Sequence, residues 1–215
     1  MNHFITPAKI QVAYTSIIEA LIDKTKENWI HRLHARNPPH ADVREYRTVG
    51  FYVGRQCGKT DALVDFALQH GVDEVLFICK DRAIEKVIGE KFVKRTNAIL
   101  PRHYMNSGIL NQIIKDRQVE TYEETIYDRN EDGTLKVAVH ENGSLYPVVL
   151  HNKGDVIRNT DDLWDKYIDT PASTIKYILV DDASFTLNYQ GITDHTFNRW
   201  VGETFNNDTI VVRVG

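Results

Sequence analysis

The sequence is short of several features that would assign it to whole classes of protein. It has two cysteines in 215 residues, which is too few for a disulfide framework. We therefore expect the protein to be located in a reducing cytoplasm. No apolar run approaches the about 18 residues that a membrane-spanning helix needs. The first residues also lack the basic-then-apolar layout of a signal peptide. We therefore expect no membrane partner.

Positive charge is also scarce, since the net charge is −4 and the pI is near 6.1. A global electrostatic attraction to nucleic acid is not indicated, although a local basic face remains open. Hydrophobic residues make up 42% of the chain, enough for a packed core. We expect one domain over residues 1–215, with a helical segment at 1–45 and a β insertion at 119–152.

Hydrophobic periodicity predicts the elements of that domain. Apolar residues at three- and four-residue spacing predict a helix over residues 8–30, and the proline-containing, charged stretch 31–47 is interpreted as a loop. Short β-branched and aromatic runs predict buried strands, at 48–53, 74–79, 177–180 and 209–214. Further helices are predicted at 61–70, at 194–206 and at 82–99, the last with an inward stripe of Ile84, Val87, Ile88, Phe92 and Ile99.

The order of these elements predicts the fold class. Strand, glycine loop, helix, strand and helix in succession are typical of a mainly parallel α/β sheet covered by helices. Between residues 119 and 152, Asp132-Gly133 and Asn142-Gly143 are turn signals among alternating β-formers, which predicts an antiparallel hairpin or small meander.

The stretch "GRQCGKT", residues 54–60, has the makings of a phosphate-binding loop. Backbone N–H groups from Gly54 to Gly58 can surround a phosphate, Lys59 can reach the outer phosphates, and the Thr60 hydroxyl can hold Mg²⁺. The following helix presents its positive dipole end to the anion. The usual pattern asks for a glycine at position 53, where this chain has valine. The alternative is an ordinary glycine turn with an exposed lysine.

A second motif, "YILVDDAS", places two acids after four apolar strand residues. Asp181 would hold Mg²⁺ beside Thr60, and Asp182 stands where an acid orients and deprotonates an attacking water. A pair of solvated acids at a strand end is the alternative. Buried strand-end acids without a cation are costly, which favours the functional interpretation.

Together these motifs resemble the ATPase domain of viral large terminases, which drive genome packaging. That family often carries Arg-Gln ahead of x-Gly-Lys-Ser/Thr and lacks the early glycine, so Val53 fits it. "HENGSLYPVVLHNKGDVIRN" resembles its segment before the acidic strand, and "TIVVRVG" lies where its coupling strand would be. The resemblance implies a three-layer P-loop NTPase of the additional-strand branch that binds ATP and Mg²⁺ and hydrolyses ATP. Its additional strand would be 209–214, between the glycine-loop strand and the acidic strand. We expect no nuclease domain of the family kind within these 215 residues.

The resemblance also implies roles for single residues. Arg55 would be an auxiliary contact to the outer phosphates, and Gln11, in "TPAKIQ", is similar to an adenine-reading glutamine. Asp182 replaces the family's glutamate and is one methylene shorter, which would set the carboxylate back by about 1.5 Å and slow the reaction. The nucleotide-binding set is Gly54, Arg55, Gln56, Cys57, Gly58, Lys59, Thr60 and Gln11, with Asp182, Lys59 and Arg55 as catalytic residues. The implied setting is a bacteriophage protein in the host cytoplasm.

Other functions and partners stay open at this point. A nucleotide-binding module with weak hydrolysis that docks to a partner protein is the main alternative, and a small kinase is disfavoured because residues 109–160 hold only three scattered arginines. DNA, a partner protein or a second copy of the chain is the expected partner besides the nucleotide. The basic residues of 82–102 would suit contact with a phosphate backbone, and a solvated helix face is the alternative. The loop cluster His31, His34 and His40 would suit a metal, and a solvated loop is the alternative.

Overall fold

The computed structural model describes residues 7–32, 37–53, 58–98, 100, 102–120 and 160–215, with short stretches at 126–127, 130, 137–139, 145–147 and 149–150. The helices in these ranges are α1 (Pro7–Glu27), α2 (Trp29–Arg32), α3 (Pro39–Tyr46), α4 (Lys59–His70), α5 (Arg82–Thr96), α6 (Ser107–Glu120), α7 (Thr160–Tyr167), α8 (Ala183–Asn188) and α9 (Asp194–Thr204). The strands are β1 (Thr48–Phe51), β2 (Val75–Cys79), β3 (Tyr104–Asn106), β4 (Ile126–Tyr127), β5 (Val137–Val139), β6 (Leu145–Pro147), β7 (Val149–Leu150), β8 (Tyr177–Val180) and β9 (Ile210–Val214).

Five of the strands form a parallel sheet in the order β1-β9-β8-β2-β3. Strand β9 lies between β1 and β8, as the sequence predicted for the last strand. The register pairs Val212 with Val49 on one side and with Leu179 on the other. Because the strands are parallel, their carboxyl ends meet at one edge of the sheet, and loops after strands far apart in sequence come together there.

Helices cover both faces of this sheet. Strand β2 is buried along its whole length and alternates in the direction of its side chains, so that Phe77 and Cys79 join a core with α1, α4 and α5. Its Leu76 and Ile78 join a second core with α3, α6, α7, α8 and α9. Continuous apolar strands are what a sheet buried on both faces requires. The arrangement is compatible with a three-layer α/β fold.

The loop predicted over residues 31–47 is wrong, because the chain forms helix α3 there. Pro38 has an extended backbone at the N-cap position, and Pro39 is the first helical residue, where its missing N–H costs no hydrogen bond. Val43 is fully buried against the second core. The two prolines thus begin a helix, whereas the sequence interpretation took them as loop signals.

The predicted inward stripe of α5 is also wrong in part. Ile88 and Phe92 are buried, whereas Ile84 and Val87 are 36% and 43% exposed, and Ile99 lies outside the described residues. Helix α5 ends at Thr96, since Asn97 adopts the left-handed conformation with φ 52°.

The β insertion begins later than predicted. Residues 107–120 form helix α6, so residues 119 and 120 are helical. Beyond them, β5 pairs with β6 in antiparallel fashion, as the turn signal at 142–143 predicted. Strand β4 pairs antiparallel with β7, so among the described residues the turn signal at 132–133 does not join a hairpin of β4 and β5. The turn residues themselves, at 132–133 and 142–143, lie outside the described part of the chain.

The N-terminal segment packs onto the domain instead of standing apart from it. Ile18 and Ile22 of α1 enter the core beside α4, and the rings of Tyr14 and Phe51 lie 5.7 Å apart.

In the described residues no helix is long and apolar enough to cross a bilayer.

A buried arginine joins α3 and β1 to the turn before β9. Arg47 is 1% exposed and donates from Nε to the carbonyl of Thr209 at 2.8 Å and from an Nη to that of Asn206 at 2.9 Å. Burial lowers the pKa of its guanidinium to about 10, with Asp42 opposing that shift. Asp42 is also bound by Arg32 through two contacts of 2.6 Å. This network positions β9 beside β1.

Candidate functional site

The carboxyl edge of the sheet brings the two sequence motifs together. Gly58 to Thr60 follow β1 after the glycine loop, and Asp181 and Asp182 directly follow β8. Strand β9, the strand between β1 and β8, ends at the same edge with Arg213 and Val214. A ligand at the crevice outside parallel strand ends would contact all three segments.

Gly58 makes the turn from the loop into α4. It is the N-cap residue of that helix and has φ 79° and ψ 16°, a left-handed conformation that favours glycine. Its carbonyl accepts the hydrogen bond from the amide of Ala62 at 3.0 Å, which begins the helix. The N-terminus of a 12-residue helix therefore opens at the sheet edge with Lys59 in its first position. Such a terminus favours a negative charge.

One contact joins the two motifs directly. The Thr60 hydroxyl donates a hydrogen bond to Oδ2 of Asp181 at 2.8 Å, across a sequence separation of 121 residues. The amide of Asp181 continues the sheet by donating to the carbonyl of Ile78 at 3.0 Å. The structure thus places Thr60 and Asp181 side by side, whereas their role as Mg²⁺ ligands stays a prediction.

Asp181 is a carboxyl held away from water. It is 7% exposed, and this burial raises its pKa, while the Thr60 hydrogen bond and the nearby charge of Lys59 oppose the increase. The buried hydroxyl of Thr186 donates to the carbonyl of Asp181 and so anchors its backbone. Sequence reasoning did not identify Thr186, because helix α8 was not predicted.

These residues fit a magnesium ion. Mg²⁺ prefers hard oxygen ligands and takes one or two from the protein, with phosphate and water oxygens completing the octahedron. The hydroxyl of Thr60 and the carboxylate of Asp181 are two such oxygens, 2.8 Å apart. A cation beside Asp181 would also favour the ionised carboxylate that burial disfavours.

Asp182 differs from its neighbour in exposure and backbone. Its backbone is left-handed, with φ 47° and ψ 54°, a conformation that aspartate tolerates better than most residues. It occupies the N-cap position of α8, but its side chain makes no capping hydrogen bond. The exposed carboxylate therefore stands at the sheet edge beside the buried one.

Arg213, near the end of β9, makes an ion pair within the protein. Its guanidinium donates to Oδ1 of Asp194 at 2.7 Å and to Oδ1 of Asn198 at 2.8 Å, and it lies over the ring of Phe197. Beside it is a cavity of about 320 Å³ between the end of β1 and helices α8 and α9. Its polar and aromatic lining includes Tyr52, Ser184, Asn188, Thr193, Asp194 and Arg213.

Several predicted site residues cannot be placed. Gly54, Arg55, Gln56 and Cys57 lie outside the described residues, and Gln11 belongs to α1 with its side chain not described. Their roles stay predictions. Cys79 is fully buried, and burial raises the pKa of its thiol, which suits a small apolar core residue better than a reactive one.

The described residues contain no group of three or more His, Cys, Asp or Glu side chains that could hold a metal. Of the predicted histidine cluster, His34 lies outside the described residues. His31 is exposed, and the ring of His40 packs at 4.5 Å from that of His195.

Comparison with known proteins adds no relative, since no family model, curated protein or solved structure matches the chain. The resemblance to terminase ATPases therefore stays a prediction from the motifs. The geometry at the carboxyl edge of the sheet is the observation that bears on function.

Proposed function

We propose that this protein binds a magnesium–nucleoside triphosphate, ATP in the first place, and hydrolyses it. The observation that supports this most strongly is the hydrogen bond between Thr60 and Asp181. It joins a lysine-threonine pair at a helix N-terminus to a buried strand-end acid. Neither motif requires the other structurally, whereas a metal-bound phosphate requires both.

Each side chain then has a role. Lys59 contacts the outer phosphates, with the N–H groups of the first turn of α4 and of the loop from Gly54 around them. Thr60 and Asp181 hold Mg²⁺, which when bound neutralises negative charge on the phosphate oxygens. Asp182 orients a water molecule and accepts its proton. Arg55 is an auxiliary phosphate contact.

A titration with a fluorescent ATP analogue in the presence of Mg²⁺ tests binding. Replacing Lys59 with alanine removes a charge-assisted contact, and we expect affinity to fall by about 10- to 100-fold. Lys94→Ala is the matched control, because Lys94 is an exposed lysine on α5. An absence of binding by the wild type, or equal affinity in both variants, would contradict the proposal.

A second candidate function is nucleotide binding with little hydrolysis, used to dock a partner protein. The short side chain of Asp182 on a left-handed backbone favours it, since the carboxylate reaches less far than a glutamate would. A measurable wild-type turnover that Asp182→Ala abolishes supports the ATPase. A near-zero wild-type turnover that Asp182→Glu raises supports the binding module, provided that nucleotide affinity is the same in both proteins.

The wider setting is also part of the proposal. The terminase resemblance supports DNA or a DNA-processing assembly of a bacteriophage as the object acted on, and a partner protein or second copy that completes the site. For a kinase, Arg117 lies on α6, and the other two arginines of residues 109–160, at 129 and 158, lie outside the described residues. No observation favours that class.

A further inference from the structure

Two exposed aromatic rings and a partly exposed lysine form a surface beside the proposed nucleotide site. Nζ of Lys80 lies 4.4 Å from the centroid of the Phe185 ring and 4.8 Å from that of Tyr189. The two rings are 6.0 Å apart, tilted by 35°, and the residues are 46% and 55% exposed. We call these three residues the aromatic–lysine platform.

The platform is held in place by elements that also carry the site. Lys80 follows β2 directly, and its carbonyl accepts a hydrogen bond from the buried Ser107 at the start of α6. Phe185 lies on α8, three residues after Asp182, and its amide donates to the Asp182 carbonyl at 2.9 Å. The platform therefore borders the strand-end acids on the side of β2.

The platform has charges of both signs around it. Asp81 accepts two backbone N–H bonds with Oδ1 as the N-cap of α5, and its Oδ2 lies 3.5 Å from Nζ of Lys80. The exposed carboxylate of Asp182 precedes Phe185 by three residues. Glu85 accepts from the side-chain amide at the end of β3. Arg82 is exposed, and Lys86 is exposed with a long 3.9 Å contact to the next acid along α5. Arg82 is therefore available to an anion, and Lys80, with 29% of its side chain exposed, can contact one beside its pairing with Asp81.

We infer that the aromatic–lysine platform binds single-stranded nucleic acid. An unpaired base stacks on the ring of Phe185 or Tyr189, and a neighbouring phosphate contacts Lys80. Exposed rings beside lysine or arginine are the combination that such strands use, because every base has a face that can stack and every linkage carries a charge. Bases of a duplex are already stacked and paired, so the platform should discriminate against double strands. This binding specifies the nucleic-acid partner of the proposed function, but it does not rest on the nucleotide site and needs no triphosphate.

Fluorescence anisotropy with a labelled 20-nucleotide oligothymidine and a duplex of the same length tests the inference without ATP or Mg²⁺. We expect the single strand to bind more tightly than the duplex, with affinity that falls as salt rises. Phe185→Ala and Tyr189→Ala should each weaken binding by about 5- to 150-fold. Lys80→Gln should weaken it and reduce its salt dependence.

Two controls make the result specific to the platform. Tyr189→Phe keeps the ring and should keep binding. Ile30→Ala removes a 65% exposed apolar side chain near the opposite edge of the sheet and should leave oligonucleotide affinity unchanged. Lys59→Ala should bind the oligonucleotide normally, so failure of the nucleotide site and failure of the platform are distinguishable. Absent binding, equal binding of the duplex, or wild-type affinity in Tyr189→Ala and Lys80→Gln would overturn the inference. Tight capture of a protein segment in place of the oligonucleotide would also overturn it.

Discussion

Replacing Asp181 with asparagine should make the protein more stable without nucleotide and less able to respond to it. The carboxyl is 7% exposed, and burial raises its pKa above the ordinary value for aspartate. A carboxyl whose pKa is higher in the folded protein than in the unfolded chain stabilises the fold at pH values below its pKa in the unfolded chain. This stabilisation is lost as the pH rises through its pKa in the folded protein. At neutral pH the wild type therefore carries a cost that the neutral amide removes.

The size of that gain follows from the contacts that remain. The oxygen of the asparagine amide can still accept the Thr60 hydrogen bond, which is 2.8 Å long in the wild type. Burying the charge costs several kcal/mol, and the hydrogen bond and the nearby Lys59 offset most of it. We expect a net gain of about 1 kcal/mol, which corresponds to about 2–4 °C in Tm for a chain of this size.

Thermal unfolding followed by circular dichroism measures both effects. With MgATP at 100 times its Kd the wild type should gain about 2.7 kcal/mol, or about 5–11 °C, and Asp181→Asn should lose most of this gain. Asp182→Asn is the control, since Asp182 is exposed and asparagine tolerates its left-handed backbone, so its stability without nucleotide should stay unchanged. A metal-free Asp181→Asn that is less stable than the wild type, together with a full MgATP gain, would refute the reasoning.

Three further predictions concern the fold. Arg47→Met should lower the free energy of unfolding by about 2–4 kcal/mol, measured in urea, because the buried carbonyl of Thr209 and the part-buried carbonyl of Asn206 lose their donor. A loss below about 0.5 kcal/mol would contradict this. Gly202→Ala should cost about 1–3 kcal/mol by the same measurement, since its Cβ would lie 2.8 Å from Cβ of Pro39 where α3 packs on α9. His70 has its pKa lowered by burial from 6.5, so stability should fall as pH drops below that value, and His70→Gln should flatten the pH dependence of Tm. An unchanged slope in His70→Gln would show that other groups cause it.

Much of the sheet could be predicted from the sequence, because its strands are buried on both faces and appear as short, continuous apolar runs. Strand β8 has the predicted bounds, and β2 and β9 differ from prediction by one residue at their starts. The missed elements have weaker local signals. Strand β3 has three residues, and α8 has six residues directly after two acids. Their stability comes from tertiary packing, which local propensity does not report.

The sequence by itself determined which residue types stand at the strand ends, since a glycine-lysine-threonine turn and a pair of acids need only local order to be recognised. The tertiary structure decided what lies beside what. The contact of Thr60 with Asp181 depends on β9 entering between β1 and β8, a pairing of strands far apart in the chain. The platform of Lys80, Phe185 and Tyr189 likewise joins segments about 100 residues apart. Such neighbours are selected by the burial of whole faces, and no short stretch of sequence carries that information.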